Sequence, residues 1–466
     1  MYKYLQKDKE KIDEIIDCFG KYSKEKLDSF DNRAIGLSQI DFDVDSINNH
    51  GIGFFDTLKK FDTKYEKYLS ASMGSRYFGF VTGGSTPASL IGDWLSSLYD
   101  NNVASLGESS SSDITLETIH QLKNLFELND DFDGVFVSGA TMSNFVGLAT
   151  ARQWIGKYYD VDIANDGLQS LTDPIHIYSA SAHSSIYKSL SMLGLGKNSL
   201  KLIKTNPNSE SIDIEDLKNH LKQHKSTPCI IVANCGTVNT VSFDDLKEIS
   251  KLREKYNFWL HVDAAFGGFA RCSDNYKHLI KNLEDADSIT IDAHKWLNVP
   301  YDSAMHFTKH LKLQFEVFQN SAAYLNPNFS NNNYVHLTPE NSQRLRALPV
   351  WFSLNAYGKK GYEEIVEKNC NLAYELGDKI KKSDKFILLS DVVLNGVLFT
   401  MNIDNLTTKR IDQFIQNIKE DGKIFITPSQ YQNKPCLRVS ISNWQTTQKD
   451  MDIAWNTLNN IFDITC

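Results

Sequence analysis

The chain has 466 residues, a formal net charge of −9 at pH 7 and a hydrophobic content of 41%. A chain of this length exceeds one ordinary hydrophobic core, so we expect a large domain accompanied by smaller segments. The acidic balance provides no positive surface for a nucleic-acid backbone or an anionic bilayer, and neither nucleic acid nor membrane is an expected partner. Seven scattered cysteines without a CxxC pair favour reduced thiols, and the sequence predicts no disulfide and no metal site.

The N-terminal stretch MYKYLQKDKEKIDEIIDCFGKY is interrupted by charges and contains no apolar core of the signal-peptide type. No later stretch approaches the roughly 20 apolar residues that a membrane-spanning helix needs. We therefore expect a cytoplasmic protein. Within residues 1–75, the side chains of Ile12, Ile15, Ile16 and Phe19 are spaced for one face of a helix, and this region is predicted to form a helical arm.

From about residue 76, short β-branched runs alternate with helical stretches, which predicts an α/β fold with a mainly parallel sheet and crossover helices. The runs are GVFV at 134–137, IHIY at 175–178, CIIVAN at 229–234, FWLHVD at 258–263 and DSITID at 287–292. After Trp351 the pattern changes to helices around a few strands. We therefore predict a large domain over 76–355 and a smaller α+β C-terminal domain over 356–466.

Two charged residues follow predicted strands, at the end where α/β proteins place their chemistry. Lys295 lies in DAHKW, just beyond SITID. Its amine is suited to form an imine with an aldehyde, whereas a lone lysine is more often a solvated surface residue. Asp263 ends the run FWLHVD before small residues that let a flat ring approach the backbone. Its carboxylate suits the protonated ring nitrogen of a cofactor, and the simpler alternative is a helix N-cap.

Three further strand ends carry compatible groups. The segment SGATMSNF at 138–145 opens a helix whose free backbone N–H groups suit a phosphate. His183 in SAHSS can stack on a ring or simply satisfy a nearby backbone group, and CGTVNT at 235–240 offers the hydroxyl of Thr237. Each motif is common by itself. Five of them at strand ends indicate one site for pyridoxal phosphate (PLP).

In order and spacing, seven segments resemble the group II PLP-dependent decarboxylases, the family of aromatic-L-amino-acid, histidine, glutamate and cysteine-sulfinate decarboxylases. They are FGFVTGGSTPASL, SGATMSNF, AHSS, GTVNT, HVDAAFGG, DAHKWLNVPYDS and RLRALPVW, and the resemblance covers roughly residues 70–450. It implies the PLP-dependent transferase fold of type I, similar to aspartate aminotransferase. It also implies an L-amino acid as substrate and a homodimer with active sites at the subunit interface.

The resemblance further implies roles for individual residues. Lys295 would hold PLP as a Schiff base, Asp263 would pair with the pyridine nitrogen, and His183 would stack on the ring and take part in catalysis. Tyr324, in SAAYLNP, would lie in a mobile loop and protonate the substrate carbon after carbon dioxide leaves. The remaining cofactor residues would be Ala140, Thr141, Thr237, Ala265, Asp292 and His294, and Phe80, Thr82 and Tyr301 would line the substrate pocket. A carboxylate at Asp292, near the phosphate, needs an intervening hydrogen-bond donor.

The expected reaction is decarboxylation to an amine and carbon dioxide, and flat apolar pocket walls favour an aromatic or large apolar side chain. An acidic substrate such as glutamate, aspartate or cysteine sulfinate would need a positioned guanidinium, for which Arg344 and Arg346 are the candidates. Aldehyde synthesis or aminotransfer on the same fold is a further alternative, and the tyrosine at 324 favours decarboxylation over it. A non-catalytic interaction protein would have no reason to keep Lys295, Asp263 and His183 together.

Overall fold

Two β-sheets organise the protein, and long apolar runs form the strands of the larger one. The computed structural model describes residues 2–37, 39–47, 49–103, 109–225, 227–320, 329–330 and 332–465. The strands of the larger sheet are β1 (Asp133–Val137), β2 (His176–Ser179), β3 (Leu200–Leu202), β4 (Cys229–Asn234), β5 (Phe258–Asp263), β6 (Ser288–Asp292) and β7 (Ala304–Thr308). The strands of the smaller sheet are β8 (Phe386–Leu388), β9 (Gly396–Met401), β10 (Thr427–Tyr431) and β11 (Lys434–Ser440).

Helices cover the sheets and connect their strands. In chain order they are α1 (Lys3–Glu10), α2 (Ile12–Ser29), α3 (Phe54–Lys64), α4 (Pro87–Tyr99), α5 (Ser111–Leu125), α6 (Ala140–Tyr158), α7 (Ile163–Asp166), α8 (Ser184–Met192), α9 (Ile214–Gln223), α10 (Leu246–Lys251), α11 (Leu311–Phe318), α12 (Ala347–Lys381), α13 (Thr408–Asp421) and α14 (Gln448–Thr465).

The larger sheet has the order β1-β7-β6-β5-β4-β2-β3. Strand β7 is antiparallel to β1 and β6, and the other neighbouring strands are parallel. Strands β4, β5 and β6 are buried at every residue, as expected for parallel strands covered on both faces. Because β7 opposes both of its neighbours, β1 runs in the same direction as β2, β4, β5 and β6. The carboxyl ends of these five strands therefore lie at one edge of the sheet, which confirms the mainly parallel α/β prediction.

The smaller sheet is antiparallel, in the order β10-β11-β9-β8, and it packs with α13 and α14 around a second hydrophobic core. Helix α12 contributes to both cores. It is interrupted at Gly358, where φ is 59° and ψ is −173°, a conformation that glycine adopts without the steric cost of a side chain. The predicted domain boundary at 355 lies close to this kink, and the domain limits stay a prediction.

The N-terminal segment contains α1, α2 and α3, and the residues whose spacing predicts a helical face lie in α2. The predicted apolar face of α2 is nevertheless open, since Ile12, Ile16 and Phe19 are about half exposed. Across the described ranges of the chain, no helix has the length and apolarity needed to cross a membrane. The cytoplasmic location stays a prediction.

Candidate active site

The sheet edge where β1, β2, β4, β5 and β6 end opens on a cavity of about 280 Å³. Nine of the residues predicted from the sequence line it: Phe80, Ala140, His183, Thr237, Asp263, Ala265, His294, Lys295 and Tyr301. A larger cavity of about 440 Å³ lies between α2 and α4, and no strand-end residue lines it. The chemistry predicted from separate strand ends therefore meets in the smaller cavity.

The amine of Lys295 is held by a buried carboxylate. Its Nζ lies 2.8 Å from Oδ2 of Asp292, a residue that is only 2% exposed. The other oxygen of Asp292 accepts the backbone N–H of Ala140 at 2.7 Å. Asp292 thus lies between the lysine and the first residue of α6. Lys295 and the Ala140 N–H are donors of the kind that a carboxylate at this position requires.

The carboxylate of Asp263 is 7% exposed, at the end of β5. Its Oδ2 accepts from Nδ2 of Asn144 at 3.0 Å, and its Oδ1 accepts the backbone N–H of Ala265 at 3.2 Å. Hydrogen bonds to the charged form offset part of the free energy that burying a carboxylate costs. The side chain therefore presents a supported negative charge to the cavity.

His183 forms the N-cap of α8 through one ring nitrogen. Its Nδ1 accepts the backbone N–H of Ser185 at 3.3 Å and lies 2.7 Å from the hydroxyl of that residue. Desolvation by the surrounding protein lowers the pKa of His183, an effect that the carboxylate of Asp263 opposes. Because Nδ1 is an acceptor, the neutral ring carries its proton on Nε2. His183 therefore does two things at this position: it accepts a backbone N–H, and its ring lines the cavity.

Helix α6 begins at the cavity, and its N-cap, Gly139, provides no side-chain hydrogen bond. Ala140 lines the cavity. Thr141 is the next helical residue, is not part of the lining, and accepts a hydrogen bond from Ser189 Oγ through its carbonyl at 3.3 Å. Because Asp292 already accepts the Ala140 N–H, the helix dipole is what makes this end of the cavity favourable for an anion such as phosphate.

Thr237 and His294 are held in place by local contacts. The Thr237 Oγ1 accepts the backbone N–H of Ser242 at 2.9 Å, which closes the loop after β4. His294 accepts the backbone N–H of Ser303 through Nδ1 at 3.2 Å. Burial lowers the pKa of His294, although the carboxylate of Asp292 opposes this effect.

The segment FGFVTGG, residues 78–84, covers the lysine. A side chain at Gly83 would place its Cβ 1.9 Å from the carbonyl oxygen of Lys295, so only glycine permits this approach. Phe80 and Val81 have φ values of 58° and 57°, which are unusual for bulky residues. The ring of Phe80 is largely exposed. Thr82 is buried behind the cavity, where its hydroxyl lies 3.2 Å from that of Tyr301.

The sequence analysis missed Arg438, a residue of β11 that lines the same cavity. It is 8% exposed, and one terminal nitrogen donates to the carbonyl of Val238 at 2.8 Å. Its Nε has no hydrogen-bond partner within the described residues. An arginine inside the apolar run CLRVSIS was a usable signal, because arginine is rarely buried without a partner.

The two arginines considered as carboxylate clamps are engaged elsewhere. Arg344 pairs with Asp93 at 2.7 Å, and Arg346 pairs with Asp302 at 3.0 Å. Neither arginine lines the cavity. Tyr324 lies outside the described residues, so its predicted role stays a prediction.

The cavity fits PLP in its set of chemical groups. An amine, Lys295, is available for the aldehyde, and a carboxylate, Asp263, for the ring nitrogen. Ala265 and His183 line the same cavity, and the dipole of the helix that begins at Ala140 suits the phosphate.

Comparisons with known proteins agree with this geometry. Residues 57–402 match the model of the pyridoxal-dependent decarboxylase conserved domain. The chain is 26% identical to an aromatic-L-amino-acid decarboxylase of Bacillus atrophaeus, over 80% of this chain and 78% of that protein. It is 28% identical to an L-2,4-diaminobutyrate decarboxylase of Acinetobacter baumannii, over 62% of this chain and 59% of that protein.

Among solved structures, Oryza sativa TDC with PLP and tryptamine superposes with a TM-score of 0.88 at 16% identity, over 98% of each chain. At this identity the likeness concerns the fold, and it confirms the predicted type I architecture. The family match covers most of the chain and supports the class of reaction and the cofactor as well as the fold. The chain therefore belongs to the pyridoxal-dependent decarboxylase family and is an amino-acid decarboxylase that uses pyridoxal phosphate.

Proposed function

We propose that the enzyme decarboxylates an L-amino acid with an aromatic or large apolar side chain, releasing the amine and carbon dioxide. The observation that carries this proposal is the set of aromatic side chains that line the cavity together with Lys295, namely Phe80, Phe266 and Tyr301. The Phe80 ring lies 5.9 Å from that of Phe425, which stacks on Tyr77 at 4.5 Å, both measured between ring centroids. In the same lining, the rings of His294 and Tyr301 lie 4.4 Å apart.

Such walls favour a flat apolar side chain. Aromatic rings gain contact area and edge or offset stacking from one another. The Tyr301 hydroxyl, which lies 3.2 Å from the Thr82 hydroxyl behind the cavity, adds a polar group to this lining, which suits a ring with a polar substituent. A diaminobutyrate side chain would instead need a carboxylate in the pocket, and Asp263, the carboxylate that lines the described cavity, already accepts from Asn144 and is assigned to the cofactor ring nitrogen.

In the proposed mechanism, the side chains of this chain bind, orient and protonate. Lys295 would hold the cofactor, Asp263 would pair with its ring nitrogen, and His183 would stack on the ring and offer its Nε2–H to the substrate carboxylate. PLP, when bound, supplies the electron sink for the pair released as the bond to the carboxylate breaks. Tyr324 then delivers a proton to the substrate carbon, a role that rests on the resemblance alone.

An acidic substrate is the second candidate, and Arg438 is the observation that favours it. Its guanidinium is buried at the cavity with Nε free, and a carboxylate is the natural partner of such a group. One guanidinium can form a bidentate pair with one carboxylate. If Arg438 binds the α-carboxylate that every amino acid carries, a second carboxylate on the side chain has no cation of its own among the described lining residues.

The deciding experiment is a comparison of kcat/KM on the PLP-loaded enzyme. L-Tryptophan, L-tyrosine and L-phenylalanine are measured against L-glutamate, L-aspartate, L-cysteine sulfinate and L-2,4-diaminobutyrate, with amine and aldehyde products separated by mass spectrometry. An aromatic substrate should be preferred by at least about tenfold, or about 1.4 kcal/mol. An acidic substrate that exceeds every aromatic one by that factor contradicts the proposal, and aldehyde as main product contradicts decarboxylation to an amine.

Arg438→Lys separates the two uses of the guanidinium. If Arg438 binds the α-carboxylate, kcat/KM should fall by a similar factor for all substrates. If it binds a side-chain carboxylate, only the acidic substrates should lose activity. Arg346→Lys is the matched control, because Arg346 pairs with Asp302 outside the cavity.

We further propose that the N-terminal arm packs against a second copy of the chain. Val44 and Ile47 are 89% and 98% exposed, and Leu5, Ile12 and Ile16 are also exposed. Apolar surface concentrated in one segment is typical of an interface, and the family resemblance supports a homodimer. Sedimentation of the full chain should give a dimer that the pair Ile12→Asp and Ile16→Asp weakens, and a monomer at micromolar concentration contradicts this.

A further inference from the structure

A row of hydrogen-bonded side chains lies directly behind Asp263, closed to solvent. It begins at Trp259, whose Nε1 donates to the Ser288 hydroxyl at 2.9 Å. That hydroxyl lies 2.7 Å from Nδ1 of His261, and Nε2 of His261 lies 2.9 Å from Oδ1 of Asn144. Trp259, Ser288, His261 and Asn144 are completely buried.

The directions of the hydrogen bonds in this row are set by its two ends: the Asp263 carboxylate can only accept, so it takes Nδ2 of Asn144 and leaves Oδ1 facing Nε2 of His261. An indole N–H can only donate, so it occupies an acceptor site of Ser288. The Ser288 hydroxyl is then free to donate its proton to Nδ1 of His261. Burial lowers the pKa of His261 to about 4, so the ring is neutral near pH 7. With Nδ1 accepting, the single ring proton is on Nε2 and is donated to Asn144.

These donors determine which way the Asn144 amide points. Its Oδ1 accepts from His261 and also from the Thr290 hydroxyl at 2.7 Å. Its Nδ2 donates to Oδ2 of Asp263 and to the Ser185 hydroxyl, both at 3.0 Å. A flipped amide would set N–H against N–H on one side and a carbonyl against a carboxylate on the other. Both contacts are repulsive in a dry interior.

The row ends at the cavity, at His183. Because Ser185 accepts from Asn144, its own hydroxyl proton is free for Nδ1 of His183, 2.7 Å away. That nitrogen also accepts the Ser185 backbone N–H. His183 is therefore held as the tautomer with its proton on Nε2. One amide thus contacts Asp263 directly and His183 through one hydroxyl.

We propose that Asn144 is a positioning residue that couples the two groups acting on the cofactor. Its amide orients the Asp263 carboxylate through a hydrogen bond to Oδ2, and through Ser185 it keeps the proton of His183 on Nε2. This inference rests on the proposed roles of Asp263 and His183. No residue of the row behind Asn144 touches the cavity, so Trp259, Ser288 and His261 act only through that amide.

Other charged groups face the same space and remain in place in the test. They are Lys295 and His294 from the segment after β6 and Arg438 from β11, and Asp292, the last residue of β6, pairs with Lys295. In β7, His306 is buried near Ser143, and burial lowers its pKa to about 3, so it does not titrate near neutral pH.

The sharpest variant is Asn144→Asp, which keeps the shape of the side chain. In this variant Oδ1 still accepts from His261 and Thr290. The second oxygen, which replaces Nδ2, faces the Asp263 carboxylate, where the repulsion between like charges favours protonation. Asn395→Asp makes the same change at another fully buried asparagine, which donates to the Ile441 carbonyl at 3.0 Å and does not line the cavity. Both are measured as holoenzymes.

The readout is the pH at the midpoint of the change in visible absorbance of bound PLP, together with the dissociation constant for PLP. Neither measurement needs a substrate, so an error in the proposed substrate class does not affect it. Asn144→Asp should raise the midpoint by about one pH unit or more and weaken PLP binding about tenfold, and Asn395→Asp should match the wild type. A wild-type midpoint in PLP-loaded Asn144→Asp overturns the coupling.

A second pair decides the matter if Asn144→Asp does not fold. His261→Gln keeps an N–H near the position of the imidazole Nε2, whereas His261→Met fills a similar volume and removes it. His261→Gln should keep the wild-type midpoint of the absorbance change, and His261→Met should shift it. Equal midpoints in these two variants overturn the inference. Asp263→Asn is run alongside. An unchanged midpoint there overturns the role of Asp263 itself, which separates that failure from a failure of the coupling alone.

Discussion

Replacing Asp263 by asparagine removes one negative charge from the cavity and leaves the shape of the side chain almost unchanged. In the wild type the two carboxylate oxygens accept from Asn144 at 3.0 Å and from Ala265 at 3.2 Å. An asparagine can satisfy one of these donors with its oxygen, and its amide then faces the other. The substitution therefore tests the charge of Asp263 as well as one hydrogen bond.

The magnitude follows from the burial of this carboxylate. Two unit charges about 4 Å apart at an effective dielectric constant of about 20 interact by about 4 kcal/mol. Asp263 is 7% exposed, so solvent screens this interaction weakly. An asparagine at position 263 retains a small part of this interaction free energy, because its amide oxygen is a neutral acceptor. We therefore expect a loss of about 3 to 4 kcal/mol in transition-state stabilisation, or a fall in kcat/KM of about a hundred- to a thousandfold.

The assay is the rate of carbon dioxide release from the preferred substrate by PLP-loaded Asp263→Asn, at matched cofactor occupancy. Asp93→Asn is the control, because Asp93 pairs with Arg344 away from the cavity and the same chemical change there should leave kcat/KM near the wild type. A fall of less than about fivefold in Asp263→Asn, or about 1 kcal/mol, would refute the role of this charge in the reaction.

Three other changes test separate parts of the protein. Lys295→Ala should abolish turnover and the visible absorbance of bound PLP, because no other amine lines the described cavity; retention of both would place the cofactor elsewhere. Tyr324→Phe should lower the rate of amine formation sharply and leave the PLP dissociation constant unchanged, and an equal amine yield would count against a proton-donor role. Burial raises the pKa of Asp244 to about 6, although the backbone N–H groups of Asn234 and Ile212 oppose the shift. Between about pH 4 and pH 6 the folded chain keeps a proton that the unfolded chain loses, so this carboxyl lowers the free energy of unfolding as the pH rises, by about 3 kcal/mol in total. The free energy of unfolding in urea is measured for Asp244→Asn and for the wild type at pH 4 and pH 7. From pH 4 to pH 7 the wild type should lose about that amount of stability relative to the variant, and a difference that does not change with pH would contradict the raised pKa.

The strands could be predicted because their signal is local. Strands β4 and β5 have the limits predicted for CIIVAN and FWLHVD, since a parallel strand buried on both faces reads as an uninterrupted apolar run. Lys295 and Asp263 could be predicted as site residues because functional groups of α/β proteins lie at strand ends. Most of the other predicted site residues came from the resemblance to family motifs. The antiparallel strand β7, between β1 and β6, carried no signal that distinguishes its direction.

The contacts that complete the site join residues far apart in the chain, and only the tertiary structure decided them. Asn144 meets Asp263 across 119 residues, and Asp292 meets Ala140 across 152. Asn144 lay inside a segment interpreted as a phosphate cradle, and Arg438 lay inside a run interpreted only as a strand. The type of a polar side chain is written in the sequence, whereas its partner depends on which strands the sheet places side by side. In a buried site, the partners determine whether such a group is charged, which tautomer it adopts and which way it points.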